Sequence, residues 1–193
     1  MGPDRFASGS IDDIGALVDG PPLAWIVPHA DVRAAILMPV VLERGDESAP
    51  LLLGHLPRRA PAMAILSDDP AASILILGPH RQIPNDWIAN RNWAPTWNFA
   101  AARIDAEVEI DAGLTDRCLQ RLVDHLDLRW SPGEMGPRYE SQKDEIVGFT
   151  ARPVEFAGRF KLGQDEKPEN FAAIVEALGA DPLAEWMHRF AGR

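Results

Sequence analysis

The chain has little of what most often carries chemistry unaided. Cys118 is the one cysteine in 193 residues. That excludes an internal disulfide and a cysteine-built zinc site. The five histidines, His29, His55, His80, His125 and His188, are scattered and not at metal-ligand spacing. No apolar run approaches the ~20 residues of a membrane-spanning helix. The first residues hold no apolar stretch of a secretory leader, so the expected compartment is the cytoplasm. Positive charge is also scarce. Nineteen Lys and Arg stand against 29 Asp and Glu, for a net charge of −10. A phosphate backbone is met by a basic surface, so this balance argues against direct nucleic-acid binding. No phosphate-cradling glycine loop, no H-E-x-x-H and no G-x-S-x-G is present. The acidic pairs Asp12-Asp13 and Asp68-Asp69 read as helix caps and loop solubilisers, and no acid–base pair is readable.

What is present suits one folded core. Apolar residues make up 46% of the chain and charged residues 25%. Residues 1–193 are therefore expected to form a single domain, with 1–10 loose and helices over 165–193. Short apolar runs at Leu23–Val27, Arg33–Glu43, Leu51–Gly54 and Ser73–Leu77 predict strands. Thr96–Ile104 and Ala106–Ile110 predict two more, the second wet on one face. Ile146–Leu162 is β-like, with Arg152-Pro153 requiring an edge or a bulge. Helices are expected at Ile11–Val18, Pro61–Ser67, Leu114–Leu128 and Phe171–Leu178, and after a capping Asp181. Strands without regular helix alternation point to an α+β fold. The sheet should be mainly antiparallel, closed as a small barrel, with peripheral and C-terminal helices.

Two segments carry candidate binding residues. The first, Gly78 to Arg103, concentrates Trp87, Trp93 and Trp97 among His80, Arg81, Arg91 and Asn98. Such a segment is either the wall of a ligand site or aromatic filling for a core or a subunit interface. Of the three, Trp97, at a strand start, best suits the core; alternation sends Trp97 and Asn98 to opposite faces and leaves both registers open, Trp97 in the core with Asn98 on the ligand or the reverse. The second is Gly54-His55-Leu56-Pro57-Arg58-Arg59, where a basic pair ends a strand just before a helix. It reads as an anion site or as a solvated basic turn.

These pieces recur together. The order runs Leu-Leu-Gly54-His55-Leu56-x-Arg58, Gly78-Pro79-His80 and Pro95-Thr96-Trp97-Asn98-Phe99. It continues with Ile146-Val147-Gly148-Phe149 and Arg159-Phe160-Lys161-Leu162-Gly163-Gln164. From about Leu23 to Leu178 the chain resembles the PaiB-type FMN-binding negative transcriptional regulators. The resemblance implies a split β-barrel working as a homodimer, with FMN at the dimer interface. It also marks departures: Ala60 and Met63 replace an Asn and a Trp, and Leu37 and Arg103 stand where the family has histidines. Gln82 and Pro84-Asn85 replace a tyrosine and a serine-proline, while Trp87 persists.

Two functions follow. In the first, the chain binds FMN or a related planar ligand. Arg58, Arg59, Thr96 and Asn98 supply polar partners, His80, Trp87 and Trp97 flank the ring, and His55 is a further candidate for contact with the cofactor. Any redox chemistry would then belong to the flavin. In the second, it is a non-catalytic regulatory or interaction protein that has lost the flavin. Whether it is an enzyme stays open.

Overall fold

The computed structural model describes residues 6–8, 11–20, 23–44, 50–90, 92–126, 129, 134 and 136–191. Of the sequence expectations, most of the loose 1–10 segment, Arg91 and the helix end at Leu128 lie outside the described residues.

Among the described residues the apolar runs form seven strands. These are β1 (Ala7–Ser8), β2 (Leu23–Pro28), β3 (Ile36–Glu43), β4 (Leu51–Pro57), β5 (Ala71–Ile83), β6 (Thr96–Asp111) and β7 (Ile146–Lys161). Six α-helices accompany them among the described residues: α1 (Ile11–Val18), α2 (Pro61–Asp68), α3 (Thr115–His125), α4 (Pro137–Lys143), α5 (Pro168–Leu178) and α6 (Pro182–Phe190). The sheet order is β7-β4-β3-β2-β5-β6, and β6 pairs back onto β7. Six strands thus close into a barrel, every pairing antiparallel, with β1 added to the free edge of β7. The α+β split-barrel expectation holds.

Alternation builds the interior. Ile26, Leu52, Leu56, Ile74, Ile83, Phe149 and Phe160 are buried within the core. α1 adds Ile14 and Leu17, and α5 and α6 add Ile174, Leu183, Met187 and Phe190. Phe160 meets the edges of Phe190 and Trp186, at centroid distances of 5.1 and 5.5 Å. Gly54 lets Phe149 reach this depth, since a Cβ there would stand 2.5 Å from the Phe149 ring.

Two sequence boundaries shift. The two strands read at 96–104 and 106–110 are one, because the Asp105/Ala106 break is a register shift and not an end. Opposite it, Glu155 pairs with Asp105 and Pro153 with Ala106, so Val154 bulges out at 70% exposure. That is the bulge Pro153 requires. The helix expected to reach Leu128 ends at His125, whose ring nitrogen Nε2 lies 3.2 Å from the carbonyl of Gly20.

Candidate functional site

The outside of the barrel divides in two. On β3, Leu37, Pro39 and Val41 share the outer face by alternation. Val41 is 2% exposed, because α3 covers it together with Leu53 through Cys118. Leu37 is 44% exposed. From Leu37 the uncovered area runs sideways across the sheet. Leu37 pairs with Trp25, Trp25 with Leu75, Leu75 with Arg103 and Arg103 with Ala157. A neighbouring row holds Leu23, Leu77, Ala101 and Arg159. The result is a groove of ≈ 530 Å³ whose rim and floor include Trp25, Leu75, Leu77 and Ala101.

The expected site residues fall at two edges of this face. At one, His55 follows Leu53 on the outer side of β4 and is partly buried, which lowers its pKa below the ordinary 6.5. Arg58 and Arg59 follow. Arg58 Nε donates to the carbonyl of Asp144 at 3.0 Å, and Arg59 lies 3.8 Å from Glu145. Both side chains are exposed. α2 begins here with Ala60 at its cap, so no side chain satisfies its first N–H groups. Two guanidinium groups beside an uncapped helix start attract an anion.

At the other edge, a register shift between Leu77 and His80 changes which residues face out. Before it, the even positions Ala72, Ile74 and Ile76 point inward; after it, His80 and Gln82 point outward, opposite Phe99 and Trp97. The Gly78–Arg103 segment is therefore mostly strand, and only residues 84–95 connect β5 to β6. His80 and Trp97 stack with centroids 6.3 Å apart and planes at 23°. His80 Nδ1 donates to the carbonyl of Gly78 at 2.9 Å. A carbonyl only accepts, so the neutral ring carries its hydrogen on Nδ1 and leaves Nε2 as an acceptor. Thr96 Oγ1 accepts from the Lys161 ammonium.

The expectation that Trp97 is core is overturned. Trp97 is 53% exposed, and Asn98 takes the inner position at 2%, its Nδ2 lying 3.6 Å from Met187 Sδ. Asn98 is thus separated from the outer face. Trp87 is half-buried under the Arg81 guanidinium, which is 5.9 Å from its ring and donates to Asp181 at 2.9 Å. Trp93 is also committed: its Nε1 donates to both oxygens of Glu166, at 2.9 and 3.0 Å. Gln164 of the Arg159–Gln164 motif clamps its own turn, accepting from Leu162 N and donating to Phe160 O, both at 2.7 Å.

The two edges do not meet in one chain. Pro57, next to Arg58, pairs with Ile146 at the start of β7, while Phe99, the partner of His80, pairs with Lys161 at the far end, so the two edges stand at opposite ends of β7. Sequence reasoning passed over Arg103, Arg159 and Lys161 as site residues. All three stand on the outer face, where Arg103 pairs with Asp105 at 3.3 Å and Arg159 lies over the Phe6 ring at 5.5 Å. Their signal was period-two placement, with Arg159 and Lys161 flanking the buried Phe160. Leu37 and Arg103, the two positions that depart from histidine, lie in one lateral row. A cavity of ≈ 500 Å³ under α1 is a weaker candidate, because its Arg44 is held by Asp19 at 2.7 Å.

The sequence matches the family described as "Putative FMN-binding domain" over residues 2–153. The chain belongs to this family. It is similar to "Protease synthase and sporulation protein PAI 2" of Bacillus subtilis (strain 168), 26% identical over 112 residues covering 54% of this chain and 53% of that protein. The chain thus spans about half the length of that curated relative. The fold is shared with the flavocytochrome Anf3 from Azotobacter vinelandii, at a TM-score of 0.60 and 16% identity, covering 88% of this chain and 77% of that one. It is also shared with the FAD and heme binding protein from Mycobacterium smegmatis, at a TM-score of 0.58 and 17% identity, covering 88% and 80%. At such identities the likeness concerns fold alone. Among the described residues no helix is long and apolar enough to cross a membrane, and no cluster of ligand residues could hold a metal ion.

Proposed function

We propose that this chain binds FMN as a homodimer, on the outer barrel face that its own helices leave uncovered. The carrying observation is that uncovered apolar face with Arg58 and Arg59 at its edge, in a chain that belongs to an FMN-binding family. The residues present fit the group. Its phosphate calls for cations and N–H donors, which Arg58, Arg59 and the start of α2 supply. Its ring calls for a flat apolar wall, which the strip from Leu37 through Trp25 supplies. A second copy laid on the same face would bring the His80, Thr96 and Trp97 edge of one chain toward the Arg58 edge of the other. It would also cover Leu23, Trp25, Leu37, Leu75 and Leu77, an apolar area a monomer rarely leaves open.

When bound, the flavin supplies the electron-transfer chemistry. This chain's part is to bind, orient and exclude water. Arg58 and Arg59 hold negative charge, Trp25 and Leu37 shield one side, and His80 keeps its Nε2 available to accept a hydrogen bond. Asn98 supports the wall from within the barrel.

The second reading, a regulatory or interaction protein without flavin, draws support from Leu37 and Arg103 in place of histidines and from Glu145 beside Arg59. A regulatory role rests on the distant sporulation relative; the net charge favours acting through a protein and not on DNA. The visible spectrum of the purified protein, followed by FMN titration, decides between the two. The flavin reading expects yellow protein or saturable uptake. An Arg58→Ala, Arg59→Ala double variant should bind FMN more weakly by about 2 kcal/mol or more, if the contacts are desolvated. A colourless protein that takes up no FMN would refute it.

A further inference from the structure

The cavity of ≈ 500 Å³ under α1 stands apart from the outer face. Leu52 and Ile104 line it from the inner side of the sheet, and Ile14 and Val18 line it from α1. The flavin reading uses none of these residues. We propose that the cavity binds a lipophilic cation, an apolar body seated among those side chains with one ammonium-type charge at the mouth. The inference goes beyond flavin binding and does not require it.

Three observations carry it. First, the fold leaves this space for a reason. β4 pairs with β7 only as far as Leu52 opposite Ala151, and β1 joins the same edge of β7 only at Ser8 opposite Gly158. Between those points no described strand covers that edge, and the chain bulges at Val154. The barrel is split there. α1 lies against the split with Gly15 and Ala16, which are too small to fill it. A Cβ on Gly15 would already stand 3.0 Å from the Arg44 guanidinium. Second, the lining separates by polarity. Ile14, Leu52 and Ile104 are almost fully buried and form the bottom. Leu42, Pro153 and Phe156 are half-buried along the walls, and Asp12, Asp19 and Arg44 stand exposed at the mouth. An apolar volume of this size with charge at one end suits an amphiphilic small molecule. Third, the mouth favours a cation. Arg44 Nη1 and Nη2 donate to Asp19 at 3.1 and 2.7 Å, so its charge is already matched and an incoming anion would have to displace a carboxylate. Two carboxylates against one guanidinium leave the mouth one charge negative among the described residues. Phe156 adds an aromatic wall, which attracts a cation and not an anion.

Isothermal titration with decylamine, decanol and decanoate, in the absence and presence of FMN, tests this. The three share one apolar chain and differ in charge. Decylamine should bind saturably at submillimolar concentration. At low ionic strength it should bind about threefold tighter than decanol, the scale of one exposed ion pair, and high salt should erase the difference. Decanoate should bind weakest. Asp12→Asn, at an exposed side chain, should bring decylamine to the level of decanol. Ala16→Phe fills the cavity and should abolish uptake of the amine, with the fold intact by circular dichroism. Asp12→Asn decides the charge even where the larger ring disturbs α1. No saturable binding of decylamine overturns the proposal. So does decanol or decanoate binding as tightly as decylamine, or unchanged affinity in a folded Ala16→Phe variant. Competition by FMN also overturns it, because the amine would then sit on the outer face. A protein that takes up decylamine but no FMN would sink the flavin reading and leave this one standing.

Discussion

Val41 and Leu37 sit four residues apart on the same face of β3, and their surroundings are opposite. Val41 is sealed under α3 at 2% exposure, while Leu37 is 44% exposed. The same contrast holds between Leu53, buried beside Cys118, and Leu75, 39% exposed on β5. Strand chemistry does not distinguish the two halves; helix cover does. α3 crosses β3, β4 and β7 and stops, so the strands beyond are left with apolar side chains facing out. The covered half is a stabilising layer. The uncovered half has kept its apolar character without the burial that would justify it inside one chain, which is why it is read here as a place for a second molecule.

The sharpest break of that comparison is Leu53→Ala against Leu75→Ala. Removing a fully buried Leu leaves a cavity and should lower stability by about 3 kcal/mol, seen in denaturant unfolding at low protein concentration. Leu75→Ala should change monomer stability by only about 0.5 kcal/mol or less. Comparable losses would show that the second half is packed within the monomer, and the division drawn between them would fail.

Next in size is Trp25→Arg. A charge in the middle of the uncovered row should prevent a second copy from docking without unfolding the barrel. Sedimentation should then shift from twice the 21.2 kDa chain mass to a single chain, with the melting profile of the dissociated protein unchanged. A parent protein already monomeric at micromolar concentration would contradict the homodimer.

On β6 the same inside–outside test applies to neighbours. Asn98→Ala removes a buried amide and should cost about 1 kcal/mol of stability. Trp97→Phe should cost almost none, because half of its indole already faces solvent. This is also where the sequence was least legible. Alternation says that Trp97 and Asn98 point opposite ways, but not which one points in. That choice is made by the Leu77/His80 register shift in the partner strand, which nothing in the Gly78-Pro79 dipeptide announces as a change of face. Strand existence was legible because each run is apolar and short. β6 was read as two strands because Asp105 interrupts the apolar period. The barrel itself was suggested by the number of runs and by the ordered family motifs. Some motif residues proved to be scaffold: Gly54 makes room for Phe149, and Gln164 closes a turn. The cations Arg103, Arg159 and Lys161 were not singled out as site residues because charged residues alternating on a strand look like ordinary solvent-facing positions until the neighbouring strands are in place.

The smallest effect should come from His55, which stands where the two halves meet. It follows Leu53 on the outer side of β4 and pairs with Gly148, whose amide donates to Thr115 Oγ1 at 3.0 Å at the start of α3. Burial lowers its pKa below 6.5, so the folded chain holds His55 neutral where the unfolded chain would protonate it. The unfolded state then binds more protons over the interval from 6.5 down to the lowered value. Stability must fall as pH drops through that interval and be fully present above it. Unfolding midpoints measured from pH 8 to pH 5 should show this loss, and His55→Gln, which cannot protonate, should flatten the part of it that belongs to this site. The same variant sharpens the comparison. If a second copy or a ligand buries the uncovered half next to His55, the protonated ring becomes costlier still, and the pH dependence of the dimer should exceed that of the Trp25→Arg monomer. An identical pH dependence in the two would place His55 wholly within the covered half.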